Sequence, residues 1–462
     1  MKQLPQKVQQ PQQKGTGALA QNRQGMRSGD EVKRPFHPTT IIQLQQQIGN
    51  ASVQRLLAAR PNQIQRYEGH EHQDLGDRSL DELHQYLQTD EGKAWAKQYG
   101  LDPQALTTQI GQDTMQQGGH IRLRNGVALT PGEIISLMGD FYGSWQSLDN
   151  AKASEIGSSD KGGGILGVMQ QERHGRISGS QANAQYEQIT GGRYLQLAQH
   201  NDVHFARQNK QEWLRLHEEA IAKARDAAAA HSEDDFQQAL LIDAAGGHFL
   251  TDAFASGHLF DKSKLMVEIT RYLAANPIRA QNPEMQTYLA LVDLHGSSDQ
   301  LVLKNIHDRL NVEGLEISNA KGMRWRTYGD NRLRNAAETQ HIASLAIFLS
   351  RRQIEQTWQG NPPPNAQEVL DLLPDEASID QATAQAIAYI PEAARQASSL
   401  LYRSRGMAPT QFGSILGTIA ESNLATIGSP GRERQIDDML RSSERMGSGP
   451  VVAPSFTIAS WE

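Results

Sequence analysis

The sequence predicts a mostly α-helical protein, a multi-helix domain behind a long polar leader. Two observations carry this. Apolar residues recur at three- and four-residue spacing in one segment after another, while strand-like alternation is scarce. The first 38 residues are rich in Gln, Pro and Gly and too poor in apolar side chains to fold alone. The mean hydropathy of −0.59 and the 38% hydrophobic content agree, since both are low for one compact globule of 462 residues.

The elements follow in order. In "HPTTIIQLQQQIGNASVQRLLAARP", Ile41, Leu44, Ile48, Val53, Leu56 and Leu57 mark a short amphipathic helix within 39–60, closed by Pro61. Such a helix either docks on a partner or packs on its own domain. This sets the organisation expected: a flexible leader over 1–66, a helical domain over 67–425 and a loosely attached tail over 426–462. "SLDELHQYLQT" opens on a serine cap, and "TPGEIISLMGDFYGSW" has Pro131 at a helix start and Gly139 near its end. "NKQEWLRLHEEAIAKARDAAAA" and "DDFQQALLIDAAGGHFLTDAFASG" are helices by period and propensity. "GLEISNAKGMRWRTYGD" is the best candidate for a hairpin, and Gly162 to Gly164 read as a connector, without the βαβ context that a phosphate cradle needs.

Charge and composition exclude several classes. A net charge of −7 and a pI near 6.1 argue against a nucleic-acid coat. No apolar run reaches membrane-spanning length, and "MKQLPQKVQQPQQKG" lacks the apolar core of a secretory signal, so synthesis in the cytoplasm is expected. With no cysteine, a metal would be held by His, carboxylate or other oxygen ligands.

The chemistry concentrates in "AAGGHFLTDAFASGHLF". Its helix carries a stripe of Phe236, Ala239, Leu240, Asp243, Ala244, Gly247, His248, Thr251, Asp252 and Ala255, apolar at first and polar in its last turns. His248 and Asp252 are four residues apart and project together; Gly257 is placed to end the helix and return His258 to the same side. Such a pair is either a core hydrogen bond or part of a metal site. Potential company is His204 just before a helix, Asp140 at a helix end, His307 with Asp308 beside it, and His72 where the domain begins. His217, on a face with Trp213 and Ala220, reads as a core-edge histidine.

The spacing His248–Asp252–His258 within "GGHFLTDAFASGH", with "HF" upstream at His204–Phe205, resembles the zinc-dependent phospholipase C and single-strand nuclease superfamily. That resemblance implies an all-helical fold over roughly 67–350 and phosphodiester hydrolysis by a zinc cluster. It assigns His204, His248 and Asp252 to a paired zinc site, His258 and His307 to its second ion, and Asp140 to the attacking water. Asn311 stands where the family carries a carboxylate four residues after His307, and no Trp lies near His72, the match to the third zinc's histidine. Two zinc ions are therefore expected, with the third in question. A phospholipid headgroup is the expected substrate, ahead of nucleic acid given the acidic charge.

The leader's "LQQQIGNASVQRLL" (44–57) is similar to a stretch near the N-termini of proteins encoded beside bacterial contractile injection systems, with Ser52 where that pattern has Ala. This implies an effector or cargo of a phage-tail-like particle, loaded through 39–60. A non-catalytic structural or cargo protein of the same fold is the alternative, and a helical adaptor with an ordinary polar core a third.

Overall fold

The computed structural model describes residues 69–113, 119–160, 162–194, 197, 202–275, 298–329, 332–362 and 365–403. The leader, its helix within 39–60 and the tail from 426 lie outside the described residues, as does 404–425 of the expected domain.

The mostly α class holds: among the described residues the sheets are two antiparallel hairpins. The N-terminal part runs α1 (Gly69–Gly76), α2 (Arg78–Gln88), α3 (Asp90–Gln98), α4 (Pro103–Gly111), the hairpin β1 (Ile121–Arg122) and β2 (Ala128–Leu129), and α5 (Pro131–Leu137). Short helices α6 (Trp145–Asp149) and α7 (Ala153–Ile156) follow, then α8 (Gly164–Arg173) and α9 (Gly179–Thr190). A 3-10 turn (Asp202–His204) leads into α10 (Ala206–Ala230) and α11 (Glu233–Asp252), and a second 3-10 turn (Ser256–His258) into α12 (Lys262–Ala275). The remainder is α13 (Ser298–Glu313), β3 (Leu315–Ser318), β4 (Arg324–Thr327), α14 (Ala337–Trp358), α15 (Gln367–Leu370), α16 (Glu376–Ala388) and α17 (Ile390–Arg403).

Local chemistry explains the helix starts. Thr130 and Glu133 close a reciprocal capping box around Pro131 at the head of α5. Ser232 caps α11 by accepting from Asp235 N–H, and Glu233, Asp234 and Asp235 lie in the first turn, where the helix dipole favours anions. The expected hairpin is present, with Leu315 opposite Thr327 and Ser318 opposite Arg324. Gly164, read as part of a connector, already opens α8, with Gly163 as its cap.

α11 is the axis of the core. It packs along α10, α14 and α5, and α1 reaches it from the N-terminal side. The sequence suggested one buried stripe, yet α11 is buried on every side from Ala239 to Asp252. Its small residues allow this: a Cβ on Gly247 would lie 2.9 Å from Ile135 Cγ1, so only a glycine lets α5 come this close. α11 ends at Asp252, five residues before Gly257, which sits inside the 3-10 turn. Among the described residues no helix is long and apolar enough to cross a membrane.

Candidate metal centre

Asp252 lies at the C-terminal end of α11 and is fully buried. Burying a carboxylate this way is costly unless partners replace its water. Four imidazoles surround it. Oδ2 is 2.5 Å from His204 Nδ1 and 3.4 Å from His248 Nε2. Oδ1 is 3.1 Å from His258 Nδ1 and 3.7 Å from His72 Nε2. These histidines come from α1, α11 and the two 3-10 turns, and are all buried.

Asp140 completes the group from the turn after α5. It is half-buried, the most exposed of the five partners of this cluster. Two sets of ligand atoms converge within 4.8 Å of one another: His72, Asp140 and His248, and His204, His248 and Asp252. Each could hold a metal ion. The turn that carries Asp140 depends on Gly139, whose φ is +71°. A Cβ there would sit 2.2 Å from His248 Nε2, so the backbone lies directly against this candidate ligand atom.

The hydrogen bonds behind the imidazoles set their tautomers. His248 Nδ1 is 3.0 Å from the Ile135 carbonyl. A carbonyl only accepts, so Nδ1 carries the proton, and in the neutral imidazole it is the Nε2 lone pair that faces Asp252. Ile135 lies in the last turn of α5, where a helix leaves its carbonyls without intrahelical donors, which is why one is available here. His72 Nδ1 lies 2.7 Å from Thr251 Oγ1, and the Thr251 hydroxyl donates to the His248 carbonyl at 2.8 Å. Its oxygen therefore accepts from His72 Nδ1–H, and in the neutral ring the His72 Nε2 lone pair also faces the cluster. Two nitrogen lone pairs turned toward a carboxylate repel it unless a proton or a metal cation lies among them. His204 Nδ1, 3.2 Å from His248 Nε2 and 2.5 Å from Asp252 Oδ2, is one position from which a proton is shared. An imidazole held by its outer N–H, with its inner nitrogen free of a proton, is the usual arrangement of a metal-binding histidine. The donor set is nitrogen and carboxylate oxygen, which suits zinc and other divalent transition metals.

His307 stands apart from both converging sets. Its ring is 5.2 Å from that of His258, but Nδ1 donates to Asp308 Oδ1 at 3.0 Å and Nε2 accepts from Asn311 Nδ2 at 3.3 Å. Burial pushes the His307 imidazole down to about 4, with Asp308 opposing. Burial alone would raise the Asp308 carboxyl, yet the Lys304 ammonium 2.7 Å away and His307 hold it below its ordinary range. Asn311 is tied to the neighbouring turn, its Oδ1 accepting from Gly257 N–H at 2.6 Å. Where a carboxylate was expected, this amide organises backbone.

A separate polar cluster lies farther along α11. His217 Nδ1 meets Asp243 at 2.9 Å, its Nε2 meets Gln353 at 3.0 Å, and Ser350 donates to Asp243 at 2.7 Å. Trp213 stacks on the imidazole with ring centroids 5.0 Å apart. His217 is thus a buried junction of α10, α11 and α14, deeper than the core edge expected of it. In the hairpin, Arg326 is engaged by Glu316 and by the Glu313 carbonyl, and Trp325 is buried.

Sequence reasoning brought out every member of the cluster but neither of its outer braces. Thr251 was visible only as part of the stripe, and the Ile135 carbonyl carries no side-chain signal at all. Comparison of the chain with protein-family models, with curated proteins and with solved structures finds no match.

Proposed function

We propose that this chain is a zinc-dependent phosphodiester hydrolase of the phospholipase C type, carried as an effector or cargo of a contractile injection particle. One observation supports the metal most directly: ligand atoms of His72, Asp140 and His248, and of His204, His248 and Asp252, converge within 4.8 Å in two sets that share His248. His72, Asp140, His204, His248 and Asp252 would hold zinc, and His258 with His307 would serve a second ion. Zinc bound there would polarise a phosphoryl oxygen and acidify a water molecule. Asp140, half-buried beside His72 and His248, is the carboxylate placed to accept that water's proton. The net charge of −7 favours a compact headgroup over a long polyanion as substrate. The delivery reading rests on the resemblance of residues 44–57.

A second reading, a non-catalytic cargo protein with the same fold, draws on His307. Both of its ring nitrogens are engaged by Asp308 and Asn311, which weakens the case for a second ion.

Metal analysis of the purified full chain, paired with hydrolysis of a short-chain phosphatidylcholine and of bis(p-nitrophenyl) phosphate, tests both. The hydrolase reading expects about two zinc ions per chain and turnover abolished by chelator, His248→Ala or Asp252→Ala. Zinc without turnover selects the cargo reading, and a metal-free, inactive chain overturns both.

A further inference from the structure

We propose that Thr251 is a positioning residue of the metal centre: its hydroxyl holds His72 in the Nδ1–H form and so presents His72 Nε2 to the ion. The proposal rests on the metal reading above and adds to it a residue that no ligand spacing would select.

Thr251 is fully buried on α11, between His248 and Asp252. Its Oγ1 lies 2.8 Å from the His248 carbonyl oxygen and 2.7 Å from His72 Nδ1. A hydroxyl has one hydrogen to give, and a carbonyl oxygen can only receive it. Donation to the imidazole instead would leave two oxygen lone pairs facing each other at a fully buried position. The assignment that satisfies both contacts sends the hydrogen to the carbonyl and leaves Oγ1 to accept from His72 Nδ1–H.

Helical Thr commonly returns its hydroxyl to a carbonyl one turn back, and by itself this says little. Here the same oxygen also reaches a residue 179 positions away, on another helix. The imidazole it grips has its other nitrogen 3.7 Å from Asp252 Oδ1 and belongs with Asp140 and His248 to one converging set. The His72 and His248 rings are 4.5 Å apart, so a small rotation of His72 would change the geometry of that set. His248 is braced by main chain, at the Ile135 carbonyl, which no substitution removes. The brace on His72 is a side chain, and it can be deleted one group at a time.

The test uses the full chain as wild type, Thr251→Val and Thr251→Ser. Long-range proton–nitrogen NMR of the imidazoles, with the His72 signals identified from a His72→Gln variant, reads the tautomer in metal-free protein. Competition with a chromophoric chelator reads zinc affinity. Wild type and Thr251→Ser are expected to carry the His72 proton on Nδ1 and to bind zinc alike. Thr251→Val is expected to shift His72 toward the Nε2–H form and to lose ~10–100-fold in zinc affinity, the usual cost of removing such a brace. An Nε2–H His72 in the wild type overturns the proposal, as does a Thr251→Val chain with unchanged affinity. Should Thr251→Val fail to fold, the wild-type tautomer and the Thr251→Ser affinity decide. Absence of zinc binding by the wild type overturns the hydrolase reading, and the metal-free tautomer then still decides whether the brace exists.

Discussion

At Gly139 the backbone sits at a φ of +71°, and a methyl group in place of its hydrogen would lie 2.2 Å from His248 Nε2. Gly139→Ala therefore combines a left-handed conformation, costly for alanine, with a clash against the proposed ligand atom. A loss of ~1–3 kcal/mol in urea unfolding is expected, together with weaker zinc binding. A surface glycine such as Gly126, with a φ of +83° and nothing near its Cβ position, is the control, since its alanine variant pays the conformational cost alone. Residue-level chemistry was partly legible beforehand. His248 and Asp252 could be paired from their four-residue spacing because a helix makes that spacing a shared direction. Their outer partners could not, because the Ile135 carbonyl looks the same in any sequence and only the fold brings it to His248.

Three helices meet where His217 on α10 binds Asp243 on α11 and Ser350 and Gln353 on α14. Removing the carboxylate leaves a buried imidazole, a hydroxyl and an indole around a void. Asp243→Ala is expected to cost ~3–5 kcal/mol in thermal or urea unfolding, with Asp243→Asn milder because one acceptor survives. One helical turn on from Ser350 and Arg351, burial, reinforced by the Asp113 carboxylate, pushes the Glu355 carboxyl from 4.5 up to about 7. The native chain then holds a proton that the unfolded chain gives up in between. Stability from this group is complete below 4.5 and fades as pH rises through about 7. Glu355→Gln should therefore gain on the wild type between about pH 5 and about pH 8 in urea unfolding. His307, held down to about 4 by burial, has the opposite sign: its contribution is complete above 6.5 and fades as pH falls toward 4. The serine expected to cap α2, Ser79, lies inside it, one residue after its start at Arg78. Helices α2, α5, α10 and α11 were legible from their period. That α11 would be covered on every side was not, since its glycines and alanines announce close approach without naming the neighbour.

For the molecule as a whole, a metal that binds only the folded chain stabilises it in proportion to its affinity. Under the hydrolase reading, chelation should lower the melting temperature, and zinc at about 1,000 times its Kd should add ~4 kcal/mol to unfolding. An unchanged melting curve with and without chelator would count against a bound ion. Deletion of residues 1–60, outside the described helices, is expected to leave that zinc-dependent shift unchanged while abolishing any particle loading. Loss of the shift on deletion would show that the leader is part of the folded domain.

The bond between His72 and Thr251 spans 179 residues; Asp140, His204 and His248 lie between them, and Asp252 and His258 follow just after. During synthesis α1 emerges first and must wait for α11 before its histidine has anything to face. No growing segment shorter than that can assemble the full set of donors. Under the metal reading, capture of an ion by the full donor set is thereby tied to completion of the core, since a chain stalled on the ribosome before α11 lacks His248 and Asp252.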